Sequence, residues 1–403
     1  MSENKLKGFF ENFLTKEPLF LNKKVLLSNY TPESITHRDD QIQQIAKILA
    51  PSLRMEKPSN IFIYGKTGTG KTLTVKHTTE HLHNVAEEKN IPIKIIYFNC
   101  KLKKIADTEY RLVAQLAREF GTDLPATGLP TEEIYKAFFK ILESEDRLVI
   151  ILLDEIDQLI KKAGDEILYN LTRMNSDLKK TQISIIGISN DLVFTDHLDP
   201  RVKSSLSEEE IVFPPYNALQ IQDILRQRSE QAFKPGVLEP GVLEKCAAYA
   251  AREHGDARRA LELLRVAGEV AERTGNEKVL IQHIDEAEEK IEKDRILDVV
   301  TTQPKQHQAA LYSILSLNET KKNIIFTGEV YEIYKKVCHK VGLRPLTQRR
   351  ISDIIAELDM LGIINARTIS KGRYGRTREI AITMPDSNIQ NIKKILEEGL
   401  NIS

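Results

Sequence analysis

The sequence predicts an α/β nucleotide-binding domain on a parallel sheet, then an all-helical domain, then a C-terminal winged-helix domain. Three observations carry this. Gly65-Lys66-Thr67-Gly68-Thr69-Gly70-Lys71-Thr72 fits the phosphate-loop pattern in full, between an apolar run and a helical stretch. Apolar runs alternate with helical stretches from Asn60 to Phe213, and the pattern stops at Pro214-Pro215. Near the C-terminus a helix precedes two alternating stretches that flank a basic tip.

The elements follow in order. Residues 1–30 are a lead-in with no clear period. Asn60–Tyr64 is a short apolar strand, and the helical stretch after the glycine-rich loop runs to about Lys89. Lys94–Asn99 is a second strand, followed by helices near Thr108–Phe120 and Thr131–Ser144. Leu148–Leu153 is continuous and apolar, as a buried parallel strand is. A helix is expected near Asp157–Leu178, then strands at Gln182–Ser189 and Glu210–Phe213. From Asn217 to about Lys293 only helices are expected, with Pro240 in the first turn of one and Gly236, Gly255 and Gly275 as punctuation. The polar text at Thr301–Pro304 serves as a linker. The expected domains are therefore 1–215, 216–300 and 301–403.

The chain has 403 residues, 41% hydrophobic and 29% charged, which suits folded domains rather than a disordered or fibrous chain. The longest apolar run, Leu148–Leu153, is far short of the roughly 20 residues of a membrane helix. Met1–Leu14 lacks the small-residue cleavage site of a secretory signal. Cys100, Cys246 and Cys338 show no metal spacing and are expected as reduced, buried thiols in a cytoplasmic protein. Lys plus Arg and Asp plus Glu both number 58, so any argument for nucleic acid rests on local charge.

The phosphate loop supplies that chemistry part by part. Its glycines let several N–H groups point at one anion, at the positive end of a helix. Lys71 reaches the β- and γ-phosphates of ATP, or the β-phosphate of ADP, and the Thr72 hydroxyl ligates Mg2+. Asp154 and Glu155 end the buried strand, at the edge where open α/β sheets bind ligands. Asp154 would hold the metal, and Glu155 would orient or deprotonate the attacking water. Asp157 either joins them or only caps the next helix. Asn190, at the next strand end, either holds a water against the γ-phosphate or forms a turn. Arg201 and Arg258 either meet phosphate or are solvated surface arginines.

Residues 344–378 hold eight basic side chains against three acidic ones, a local excess of five in a neutral chain. In Thr347–Leu361, Ile351, Ile354, Ile355, Leu358 and Leu361 fall on one helical face. Gln348, Arg349 and Ser352 face elsewhere, with Arg350 beside them. Ile363–Ile369 and Arg378–Ile382 can pair as strands around a tip carrying Lys371, Arg373, Tyr374 and Arg376. Such a helix would enter a major groove while the hairpin tracks phosphates or the neighbouring minor groove; otherwise the hairpin is solvated and serves as a protein contact.

Taken together, the phosphate loop, Leu153-Asp154-Glu155-Ile156-Asp157, Gly187-Ile188-Ser189-Asn190, Leu198–Ser204 and Gly255–Leu261 resemble, in order, the motifs of AAA+ ATPases of the initiator clade. More closely, the chain resembles archaeal replication initiators of the origin-recognition/cell-division-cycle-six family, from about Leu27 to the final helix. Tyr30-Thr31-Pro32-Glu33 and His37-Arg38-Asp39-Asp40 match that family's adenine-side motif, and Tyr216 joins the implied nucleotide neighbours. The resemblance makes Asn190 the sensor-one residue, Arg201 the arginine finger and Arg258 the sensor-two arginine. It places a DNA-touching helical insertion near Lys101–Pro130, with Lys101, Lys103, Lys104, Arg111 and Arg118 as its cations. The implied function is an ATP-switched, slowly hydrolysing initiator on origin duplex DNA. Its implied partners are the replicative minichromosome-maintenance helicase and a second initiator paralogue on the same DNA, with no membrane. A protein-remodelling ATPase of clamp-loader or chaperone type, or an ATP-gated winged-helix transcription regulator, are the rival readings.

Overall fold

The computed structural model describes residues 17–101, 108–125, 128–206, 208–320, 325–370, 376–382 and 386–402. Two compact units emerge, one ending at Ile284 and the other beginning at Asp285.

The first unit is built on five parallel strands: β1 (Asn60–Tyr64), β2 (Ile93–Asn99), β3 (Arg147–Asp154), β4 (Thr181–Ser189) and β5 (Glu208–Val212). Their order is β2-β3-β4-β1-β5. The central register aligns Tyr64 with Ser189, and Asn99 with Asp154, so the strand ends that bear polar residues lie side by side. β3 is buried almost throughout, and its alternate residues serve two cores. Val149, Ile151 and Leu153 join Phe62, Leu112 and Phe138 on one face. Leu148, Ile150 and Leu152 join Ile61, Ile63 and Val75 on the other. Each such burial contributes roughly 2 kcal/mol, which is why a continuous apolar run marks this strand. Gly187 on β4 has no room for a side chain: a Cβ there would sit 2.6 Å from the Phe62 ring.

Helices cover the sheet: α1 (Asp39–Leu49), α2 (Lys71–Glu88), α3 (Glu109–Glu119), α4 (Thr131–Leu142), α5 (Ile156–Ala163), α6 (Glu166–Arg173) and α7 (Pro200–Leu206). The single helix expected over Asp157–Leu178 is in fact α5, α6 and a 3₁₀ turn at Met174–Ser176. Gly164, at φ 83°, breaks it, a conformation that favours glycine. The last strand starts earlier than expected, at Glu208 rather than Glu210, because Glu208 and Glu209 pair with β1 at the sheet edge despite their charge.

A helical group follows: α8 (Ala218–Ala232), α9 (Val242–Arg252), α10 (Ala257–Thr274) and the start of α11 (Ile281–Thr302). Asn217 and Gln220 cap α8 reciprocally. Asp256 caps α10 by accepting from the N–H groups of Arg258 and Arg259. Pro240 precedes α9 rather than sitting in its first turn, and Gly241 is the N-cap.

The second unit contains α12 (Lys305–Thr320), β6 (Ile325–Phe326), α13 (Thr327–Lys340), α14 (Gln348–Met360), β7 (Ile364–Ser370), β8 (Arg376–Ile382) and α15 (Asp386–Leu400). Its antiparallel sheet has the order β6-β8-β7. Thr301 and Thr302, expected in a linker, complete α11 instead. Ile351, Ile354, Ile355 and Leu358 are buried as their period requires, whereas Leu361 follows the helix end and is 37% exposed. All three cysteines are buried, and none is in a disulfide. No helix among the described residues is long and apolar enough to cross a membrane.

Candidate functional site

The phosphate loop joins β1 to α2, and the strand ends of β3 and β4 place their polar residues beside it. Lys71 is 5% exposed. Its Nζ donates to the Gly65 carbonyl at 2.6 Å, the Lys66 carbonyl at 2.8 Å and Asn190 Oδ1 at 2.9 Å. Burial pulls the ammonium down to about 8, against the opposing pull of Asp154. Thr72 Oγ1 donates to the Asp154 carboxylate at 3.1 and 3.2 Å. Asp154 also accepts from the Tyr97 hydroxyl at 2.8 Å and from the Glu155 N–H at 3.0 Å. Lys71, Thr72, Asp154, Glu155, Asn190 and Arg258 thus border one cleft with Thr67, Gly68, Thr69 and Gly70. Lys66 turns outward, 3.3 Å from His254 Nδ1. Asp157 is buried and accepts from Ser189 Oγ at 3.3 Å, so it braces β4 against α5.

Glu155 has φ 55° and ψ 47°, the left-handed region, at the N-cap of α5. That conformation costs a non-glycine residue roughly 1 kcal/mol or more. It turns the chain sharply after β3 and leaves the carboxylate 3.8 Å from Lys101 Nζ.

The helical group closes the other side. Gly68, Gly70, Tyr30, Pro32, Tyr216 and Arg258 line an adjoining, open-sided cleft with Leu27, Ile35 and Ile224, whose apolar and aromatic side chains suit an organic ring. The Ala257 N–H donates to the Gly68 carbonyl at 3.3 Å. A Cβ at Gly68 would overlap the Asp256 carboxylate, and φ there is 75°. Gly68→Ala is therefore expected to weaken nucleotide binding and cost about 1–3 kcal/mol of stability, read by thermal unfolding. An unchanged Tm and affinity would show that α10 does not sit on the loop.

Arg38 and Thr31 do not border either cleft. Arg38 is 2% exposed and lies behind the loop. It donates through Nε to the Thr69 carbonyl at 2.9 Å and through Nη2 to the Pro214 carbonyl at 2.7 Å. Its guanidinium carbon stacks 3.8 Å from the Tyr216 ring centre. Arg38 thus ties the loop to the segment leading into α8. Thr31 is exposed between Tyr30 and Pro32. Arg201 stands apart on α7, 84% exposed and paired with Asp199 at 3.1 Å.

In the second unit, Thr347 caps α14 and leaves Gln348, Arg349 and Arg350 exposed in its first turn. Ser352 is half-buried. Arg350 is held by its own helix, 3.2 Å from Glu357, which is itself 2.6 Å from His307 Nε2. Arg367 and Arg378 lie on the paired strands β7 and β8. Lys371, Arg373 and Tyr374 lie outside the described residues, and Arg376 begins β8. Of the insertion cations, Lys103 and Lys104 also lie outside them. Lys101 borders the phosphate cleft, and Arg118 pairs with Asp123 at 2.7 Å.

Sequence reasoning missed Tyr97 and Arg228. Tyr97 reaches Asp154 only because β2 pairs with β3 in register. Arg228 reaches the cleft only because α8 folds back over it.

Known proteins share this arrangement. Residues 54–193 match the family described as AAA domain, and 222–289 match the Cdc6 AAA+ ATPase-type lid domain. Residues 298–392 match the family described as CDC6, C terminal winged helix domain. The chain is 54% identical over 391 residues to the ORC1-type DNA replication protein of Pyrococcus abyssi, covering 96% of this chain and 93% of the relative. It is 52% identical over 400 residues to ORC1-type DNA replication protein 1 of Methanosarcina mazei, covering 98% and 95%. Its structure is similar to that of the Aeropyrum pernix ORC1 protein solved in complex with DNA, with TM-score 0.83 and 45% identity over 95% of this chain and 98% of that one. With an AAA domain, a Cdc6-type lid and a C-terminal winged helix, the chain belongs to the family of ORC1-type DNA replication proteins.

Proposed function

We propose that this chain marks replication origins: it binds duplex DNA through its winged helix and uses ATP as a slowly hydrolysed switch. The observation that carries the switch is the convergence of Lys71, Asp154, Glu155, Asn190 and Arg258 on one cleft between the sheet and the helical group. Nucleotide bound there touches both, so its state biases how α10 sits on the loop. Support for DNA comes from the A. pernix relative, from the two exposed arginines in the first turn of α14 and from the basic hairpin. The chain would act in the cytoplasm on the nucleoid. It would help recruit the replicative minichromosome-maintenance helicase, beside a second initiator paralogue.

The donors present fit Mg2+. Thr72 Oγ1 and the Asp154 carboxylate are oxygen ligands facing one cleft, the hard donors this ion takes. When bound, the ion would neutralise charge on the β- and γ-phosphates. Lys71 and the loop N–H groups orient those phosphates, and Glu155 accepts the proton of an attacking water. Arg258 lies on the α10 side of both clefts and would report which nucleotide is present. Arg201 is exposed and remote from both clefts, so a γ-phosphate it stabilised would be a neighbouring protomer's.

The test is Glu155→Gln. Loss of a general base lowers turnover by about 10²-fold or more. ATP affinity should stay within about threefold of the parent, trapping the ATP form. Hydrolysis at the parental rate would remove Glu155 from the mechanism.

A further inference from the structure

Arginines lie buried at two places around the cleft, and their surroundings differ. Arg38 has its hydrogen bonds satisfied by the carbonyls of Thr69, Pro214 and His37. Arg228, on α8, is 9% exposed. Among the described residues, nothing accepts a hydrogen bond from its buried Nη1. The neighbour that acts on its charge is the Tyr30 ring, 4.7 Å from the guanidinium carbon. Burial pulls the guanidinium below its ordinary range. A buried cation without acceptors opposes folding, and folds seldom keep one without a return in function.

Its position says what that return is. The cleft meets the phosphate site at Gly68, Gly70 and Arg258, which border both. Away from those residues its wall includes Leu27, Tyr30, Ile35 and Ile224, with Arg228 and the neutral polar Ser28, Ser34, Thr36 and Gln227 among them. Apolar and aromatic side chains suit the flat face of a base. A guanidinium carries donors only, so its partner must be an acceptor. The ring nitrogens of a purine are such acceptors.

We propose that Arg228 anchors the purine base of the nucleotide, donating a guanidinium N–H to a ring nitrogen while the Tyr30 ring supports the cation. This deepens the nucleotide reading above and rests on it. A charge-assisted hydrogen bond changes affinity by about 10- to 100-fold.

The experiment is calorimetric titration of the full chain with ATP and with inorganic tripolyphosphate, which has no base. The proteins are the parent, Arg228→Met, Arg228→Lys and Lys71→Ala, each also melted without ligand. Arg228→Met should lose about 10- to 100-fold in ATP affinity and keep its tripolyphosphate affinity. Its ligand-free Tm should equal or exceed the parent's, because an unsatisfied buried charge is gone. Arg228→Lys should fall between. Among the 1-, 3- and 7-deaza analogues of ATP, at least one should bind the parent more weakly than ATP but bind Arg228→Met as ATP does. Equal ATP affinity in Arg228→Met and parent overturns the proposal. So does a lower Tm with equal losses for ATP and tripolyphosphate, which marks a structural prop. So do three deaza analogues that all bind the parent as tightly as ATP. If the parent binds neither ATP nor tripolyphosphate, and Lys71→Ala changes nothing, the nucleotide reading itself fails.

Discussion

Lys71→Ala should lower ATP affinity by about 10²-fold or more while leaving the chain folded. The ammonium is held in place before any ligand arrives, by two loop carbonyls and Asn190. A ligand therefore gains a positioned cation without ordering a flexible side chain. Hydrogen bonds to charged groups contribute roughly 1.5–3 kcal/mol each, and a lysine reaching two phosphates makes more than one, which sets the expected factor. The fold should tolerate the change, because what is removed is a cation that burial disfavours. Titration calorimetry and a melt on the same sample decide it. Nearly parental affinity would mean that the loop N–H groups alone hold the phosphates.

On the DNA side, changing Arg373 and Arg376 to Glu should lower duplex affinity by about 10²-fold near physiological salt. It should also flatten the dependence of log K on log salt by about two units, one for each phosphate-neutralising residue lost. The measurement is binding of a labelled duplex across a salt series. Arg349→Ala is the useful companion. Arg349 is exposed in the first turn of α14, where a groove-reading helix makes its contacts, whereas Arg350 is drawn back toward Glu357. Equal affinity and slope in the parent and the charge-reversed protein would sink the assignment of the hairpin as a wing.

Much of this was legible in the sequence, for identifiable reasons. Asn60–Tyr64 is read to the residue, and Leu148–Leu153 misses only the flanking Arg147 and Asp154, because strands buried on both faces leave continuous apolar text. The phosphate loop is legible because anion binding dictates both its glycines and its lysine. Elsewhere the physics is not local. Glu208 and Glu209 pair with β1 despite their charge, since they lie at the rim of the sheet. Gly164 splits a helix whose apolar period alone runs on. Arg38 looks like a nucleotide contact, but the fold turns it toward backbone carbonyls behind the loop. Arg228 shares a helical face with Ile221 and Leu225, but in a helix with four Gln and two Arg it is one more polar residue until the fold buries it.

The rim of the sheet also bears on how this protein keeps apart from its own copies. A chain with as many cations as anions has little overall repulsion to rely on near neutral pH. β5 closes the sheet as a short strand of five residues, three of them glutamates. A second sheet approaching that side would have to bring its own backbone against a row of carboxylates. Colloidal protection is thus concentrated at the seam where strands would otherwise add.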